Sequence, residues 1–305
     1  VLHDLRKRST DRNRDIVSRV NAYLRPVSVE YDRDVVPLSP AGTPTERHMV
    51  VAYIRAAEKS VLDPPDFWAG KLGTNHREMA DLVDDGPRFQ SLVRARLMKK
   101  GGPGYVQPGA DTFPTLEEFH RLVVACRAVP CAAWLDGASA GEQAIEELLA
   151  LLMEKGVAAL NIVPDRNWNI ADSGIRRIKL QQLYRVVELA QALDLPLNVG
   201  TEMNSFGQRL VDDFAAPELA PVKDAFLEGA HFAYGHTVLE RKARLGFQSE
   251  WARKHLSSRR ERNNFYTKMG YQLPPGEAAA STLGQLDPSM SPSEMLTALQ
   301  QGAME

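Results

Sequence analysis

Residues 129–163 read VPCAAWLDGASAGEQAIEELLALLMEKGVAALNIV, and this stretch decides the fold class. It opens on a near-continuous apolar run, VPCAAWL, and closes on another, VAALNIV. Between them Ser139 and Glu142 stand at capping-box spacing. Ile145, Leu148, Leu149 and Leu152 then follow the i, i+3, i+4, i+7 rhythm of a helix with one apolar face. Two strands that are apolar throughout, joined by an amphipathic helix, predict a parallel βαβ unit. Strands of that kind are expected where helices cover the sheet or a barrel closes.

The same pattern extends outward. Downstream, Leu183, Val186, Val187 and Ala190 mark another helix, LPLNVG (195–200) a further strand, and AHFAYG (230–235) reads as one more. Upstream, Thr115 and Glu118 form a second capping-box pair ahead of Phe119, Leu122, Val123 and Cys126, and GYVQP (104–108) reads as a weak strand. All these strands fall after residue 100, and they are too few for a closed α/β barrel of seven or eight. Part of the sheet is therefore expected upstream of Val1. The chain partitions into a mostly helical region 1–100, βα units over 101–270, and a Pro/Gly/Ser-punctuated tail 271–305 with one short helix. Within the first region, Ile16, Val17, Val20 and Leu24 line one helix face, and Thr45 caps a helix whose inner face holds Met49, Val50, Tyr53 and Ile54. The Arg/Lys-rich segment 237–269 reads as two helices with solvated faces, a local anion-binding surface being the alternative.

Composition narrows the class. The 305 residues are 44% hydrophobic and 25% charged, which excludes a mainly disordered chain. Lys plus Arg number 37 and Asp plus Glu 39, so no basic excess marks a nucleic-acid coat protein. No apolar run reaches the ~20 residues of a membrane span, so no membrane partner is expected. Two cysteines, Cys126 and Cys131, are too few for a disulfide framework and read as core residues of a cytoplasmic protein.

In parallel α/β folds ligands bind beyond the carboxyl ends of the strands, where loops and helix N-termini converge. Asp136 follows the first apolar strand, with Trp134 near its tip. Asp165 and Arg166 follow the second, Glu202 and Asn204 the third, and His236 follows AHFAYG. Carboxylates and an imidazole on one rim suit a divalent metal, general acid–base chemistry, or both. Asp136 before Gly137 and Asp165 after Pro164 can equally be turn residues. Glu202 beside Gly200 is harder to explain so, because a carboxylate at the end of an apolar strand is costly without partners.

The ordered set TERHMVVAYIRAA (45–57), GPGYVQP (102–108), TLEEFHRLVVACRAVPCAAWLDG (115–137), VAALNIVPDRN (157–167) and GTEMN (200–204) resembles the PHP (polymerase and histidinol phosphatase) superfamily, in its metal-dependent phosphoesterase branch. The resemblance implies a distorted TIM-like barrel with a helical insert, and a hydrolase acting on a phosphate ester with a divalent metal (Mn, Mg or Zn). Its partner would be a small phosphorylated substrate, nucleic acid entering only as substrate. It implies Glu202 and His236 as metal ligands, with His236, Asp165 and Asp136 as catalytic groups. Arg47, His48 and Arg166 would hold the anion, and Trp134 and Asn204 would line the pocket. The chain departs from the family pattern in three ways: Trp134 stands where the family has a histidine, Glu202 and Asn204 replace the closing Asp and His, and no H-x-H strand occurs. Two other readings stay open. One is a PHP-like barrel that lost its metal and binds a ligand or partner, and the other is a sugar isomerase-type barrel.

Overall fold

The structure, a computed structural model, describes residues 1–109, 111–202, 209–273, 283 and 286–302. The chain divides into two compact units, Val1–Thr115 and Leu116–Glu305.

The first unit is helical. α1 (Leu2–Leu24) buries Asn13, Ile16, Val17, Val20 and Leu24, the stripe expected of one amphipathic face. α2 (Glu46–Ser60) starts at Thr45, as the sequence predicts, and turns Met49, Val50, Tyr53 and Ala57 into the same core. Asp63, Asn75 and Asp85 each cap the next helix by accepting an N–H three residues on. Those helices are α3 (Pro64–Leu72), α4 (His76–Val83) and α5 (Gly86–Met98). Trp68 sits at their junction, edge-on to Phe67 and Phe89. The expected strand at 104–108 does not form. Gly104 folds back so that its N–H reaches the Leu97 carbonyl at 2.8 Å, and a Cβ there would lie 2.3 Å from Val20. The glycine-rich run is a turn that closes over the end of α5.

The second unit contains the sheet. β1 (Cys131–Trp134), β2 (Ala159–Ile162) and β3 (Leu197–Val199) are parallel, in that order, with Ala133, Asn161 and Asn198 in one cross-strand row. These are the three apolar runs read from the sequence. α7 (Ala140–Gln143) and α8 (Ile145–Glu154) connect β1 to β2; α9 (Asp165–Trp168) and α10 (Ser173–Ala192) connect β2 to β3. The capping box of Ser139 and Glu142 is present as expected. Trp134, Leu160, Ile162 and Leu197 share one core with Ile145 and Leu149 of α8 and Leu183, Val186, Val187 and Ala190 of α10. Both crossovers thus cover the same sheet face. The opposite face carries Ala133 and Asn198, both exposed, and half-buried Asn161.

Here the structure corrects the sequence reading. Among the described residues the sheet has three strands and is open; no barrel closes. The run AHFAYG is not a strand but the middle of α11 (Lys223–Ala243). Its buried positions, Phe226, Gly229, Phe232, His236 and Leu239, keep helical spacing, and a short apolar run cannot by itself distinguish buried helix from strand. Two glycines of α11 are packing points. A Cβ on Gly229 would lie 1.8 Å from the Leu197 carbonyl oxygen, so α11 runs directly against the backbone of β3. A Cβ on Gly235 would meet the Tyr266 carbonyl at 2.0 Å, which brings α11 onto α13 (Arg259–Gln272). A second core gathers there from Phe232, Leu239, Phe247, Trp251 of α12 (Glu250–His255), Phe265 and Tyr266. The tail joins it: Met295 and Leu299 of α14 (Pro292–Gly302) are buried in this core. α6 (Leu116–Ala125) keeps the predicted periodicity but buries no residue, and Phe119 remains 48% exposed. Cys126 and Cys131, expected inside, are both exposed.

Candidate functional site

Each strand end delivers charged side chains to the same rim. Leu135 and Asp136 follow β1, and Gly137 turns the chain with φ +74°. A Cβ at Gly137 would press on Gln182 of α10 at 2.9 Å, so this tight turn needs glycine on both counts. Asp136 is 8% exposed. Its Oδ1 accepts the Ala138 N–H at 3.1 Å, and its Oδ2 accepts from Lys179 Nζ at 2.7 Å. Val163 follows β2, and Pro164 leads into α9. Arg166 on α9 donates to Glu202 Oε2 at 2.6 Å through one terminal nitrogen and lies 3.5 Å from Asp136 Oδ2 through the other. Glu202 follows β3. Two carboxylates and two cations therefore form one chain: Lys179, Asp136, Arg166, Glu202.

Asn167 secures the arrangement. It is wholly buried, and its side-chain amide donates to the Leu135 carbonyl at 3.0 Å and the Val163 carbonyl at 3.3 Å, tying the ends of β1 and β2 together. Asp212 ties in the segment after β3. It is 6% exposed and accepts the Asp165 N–H at 3.0 Å and the Trp168 indole N–H at 2.6 Å. Two buried polar atoms of α9, Arg166 Nε and Asn167 Oδ1, have no protein partner among the described residues.

The charges respond to this environment. Burial by itself would raise the Asp136 carboxyl, but the Lys179 hydrogen bond, the Ala138 N–H and the nearby Arg166 charge bring it below its ordinary value. The hydrogen bond to Glu202 raises the Arg166 guanidinium, against a smaller opposing effect of burial. Asp212 moves the other way: burial raises its carboxyl even though three N–H groups point at it.

Of the residues predicted from sequence, the structure brings Asp136, Arg166 and Glu202 together. Asp165 is adjacent, yet its carboxylate accepts from Asn169 at 2.9 Å rather than entering the ion-pair chain. His236 is not at a strand end. It lies within α11, 7% exposed, beside Glu240 and Tyr266, and its Nδ1 accepts the Phe247 N–H at 3.0 Å. Burial lowers its pKa, with Glu240 acting weakly the other way. Trp134 is 3% exposed and belongs to the core that the sheet shares with α8 and α10. Arg47 and His48 belong to the first unit, where His48 Nδ1 accepts the Thr45 N–H at 3.0 Å and completes the cap of α2. Asn204 lies outside the described residues. Lys179 and Asp212 escaped the sequence reading. Lys179 had a signal: it precedes Leu183 by four residues and Val186 by seven, so it extends the buried stripe of α10 toward the rim. Asp212 sits in an irregular segment with no periodicity to mark it.

The resemblance implies a divalent metal, and among the described residues the carboxylates that would hold it are engaged in ion pairs. Among the described residues no group of three or more His, Cys, Asp or Glu side chains converges. Asp136 and Glu202 already accept from Lys179 and Arg166, whose positive charges oppose a second cation, and His236 is held in a separate core. Neither a known protein family, nor a curated protein, nor a solved structure matches the chain.

Proposed function

We propose that this chain binds a small phosphorylated molecule at the carboxyl ends of β1–β3. One observation carries the reading. A guanidinium from α9 and an ammonium from α10 are held by carboxylates at the place where parallel α/β sheets receive ligands. Arg166 presents a planar fork suited to phosphate oxygens, and Lys179 adds a point charge beside it. Asp136 and Glu202 hold these cations in position before the ligand arrives, which lowers the ordering cost of binding. This corresponds to the ligand-binding alternative left open by the sequence.

Hydrolysis of the phosphate ester is the second reading. It is favoured by a specific feature: Asp136 and Glu202, from different strand ends, lie on two arms of the same guanidinium. Displacement of Arg166 would leave two neighbouring carboxylates free to act as bases or as oxygen ligands.

Thermal denaturation with a panel of phosphomonoesters tests the proposal. A ligand at about 100 times its Kd stabilises by about 2.7 kcal/mol, which raises Tm by several degrees. The rise is expected in the native chain and lost in Arg166→Met. No rise with any phosphomonoester refutes binding. Turnover that requires Mn²⁺ and disappears in Glu202→Ala replaces the first reading by the second.

A further inference from the structure

We infer that the phosphorylated ligand of this rim is a zwitterion, carrying an ammonium group that Glu202 accepts. The inference rests on the phosphate-binding reading and goes on to the class of ligand. It starts from charge balance: Asp136 and Glu202 carry two negative charges, Arg166 and Lys179 two positive ones, and every charge is paired within the chain. A purely anionic ligand that drew both cations away would strand a carboxylate that is 8% exposed, and it would approach two negative charges in doing so.

The two ion pairs are not equivalent. Lys179 and Asp136 retain 25% and 11% side-chain exposure, and the Ala138 N–H holds Asp136 as well. Arg166 and Glu202 retain 36% and 24%. The Lys179–Asp136 pair is the fixed anchor, and the Arg166–Glu202 pair is the exchangeable one. The ligand opens that pair: its phosphate takes the two terminal nitrogens of Arg166, and its ammonium takes Glu202. Each charge released finds a replacement, and no carboxylate is left bare. A phosphate without an ammonium leaves Glu202 unpaired next to the incoming dianion.

Titration calorimetry on the full chain decides this with O-phosphoethanolamine, ethyl phosphate and ethanolamine, each without metal and with Mn²⁺. Phosphoethanolamine is expected to bind at least 10-fold more tightly than ethyl phosphate, and ethanolamine alone more weakly than either. In Glu202→Gln the two phosphates should fall within twofold of each other. Equal affinities in the native chain overturn the inference while leaving phosphate binding intact, and that comparison needs no variant to fold. A preference that survives in Glu202→Gln overturns the role of Glu202. If Mn²⁺ brings ethyl phosphate up to phosphoethanolamine, the missing cation is a metal and the ammonium assignment fails. If neither phosphate binds, the underlying phosphate-binding reading fails instead.

Discussion

Replacing Lys179 by Met removes one charge from the rim and keeps the aliphatic stem, so packing changes little. Among the described residues Asp136, 8% exposed, then retains the Ala138 N–H at 3.1 Å and the more distant Arg166 at 3.5 Å. The lost contact is a charge-assisted hydrogen bond of 2.7 Å. Such bonds contribute about 1.5–3 kcal/mol, and water reaching the partly exposed lysine reduces this to about 1–2 kcal/mol. The sign with pH follows from the Asp136 carboxyl, which lies below its ordinary value in the fold. Its stabilising contribution is complete above the unfolded value of about 3.9 and is lost as pH falls through the lower folded value. Lys179 matters only while Asp136 is ionised, so the deficit of Lys179→Met should be largest near neutrality and shrink under acid. Urea unfolding of the native chain, Lys179→Met, Asp136→Asn and the double variant gives the coupling directly. A coupling of about 1–2 kcal/mol at pH 7 that declines toward about pH 3 is expected. A coupling below about 0.5 kcal/mol at pH 7, or one that acid leaves untouched, refutes the argument.

Three further outcomes are expected. Gly229→Ala should cost about 2 kcal/mol or more in urea unfolding, because its Cβ meets backbone oxygen at 1.8 Å; Gly70→Ala in α3, with nothing within 4 Å, should instead gain up to about 1 kcal/mol. Glu46→Gln should destabilise the first unit by about 1–2 kcal/mol, since Glu46 accepts from Arg94 and Lys99 at 2.8 Å each at 12% side-chain exposure; an unchanged melting curve would count against this. Burial lowers the His236 pKa, so its contribution is complete above the unfolded value of about 6.5 and lost as pH falls below it; the urea midpoint should drop between pH 7 and about 5.5, and less so in His236→Gln, which keeps an acceptor for Phe247.

Where the sequence carried strong local periodicity, it read true. The three apolar runs became β1, β2 and β3, the Ser139–Glu142 cap formed, and the stripes of α1, α2, α8 and α10 face their cores. The reading failed where burial is non-local. AHFAYG offers six residues compatible with either strand or helix, and only contact with Leu197 and Tyr266 selects the helix. α6 has the right rhythm and buries nothing, because amphipathicity shows which face would be covered and not whether a partner is present.

The candidate site divides along the same line. Asp136, Arg166 and Glu202 were legible because a residue just past an apolar parallel strand must emerge at its carboxyl end. That follows from chain direction alone. Their pairing was not legible, nor was the arrival of Lys179 from α10, or of Asp212 from an irregular segment, or the withdrawal of His236 into a helix core. Those depend on where separate segments meet in space. The sequence alone therefore determined that the residues just past the three apolar runs, Asp136, Arg166 and Glu202 among them, reach the rim, since that is set by strand direction. Tertiary structure decided that they neutralise one another, since ion pairing depends on distances of a few ångströms between residues far apart in the chain.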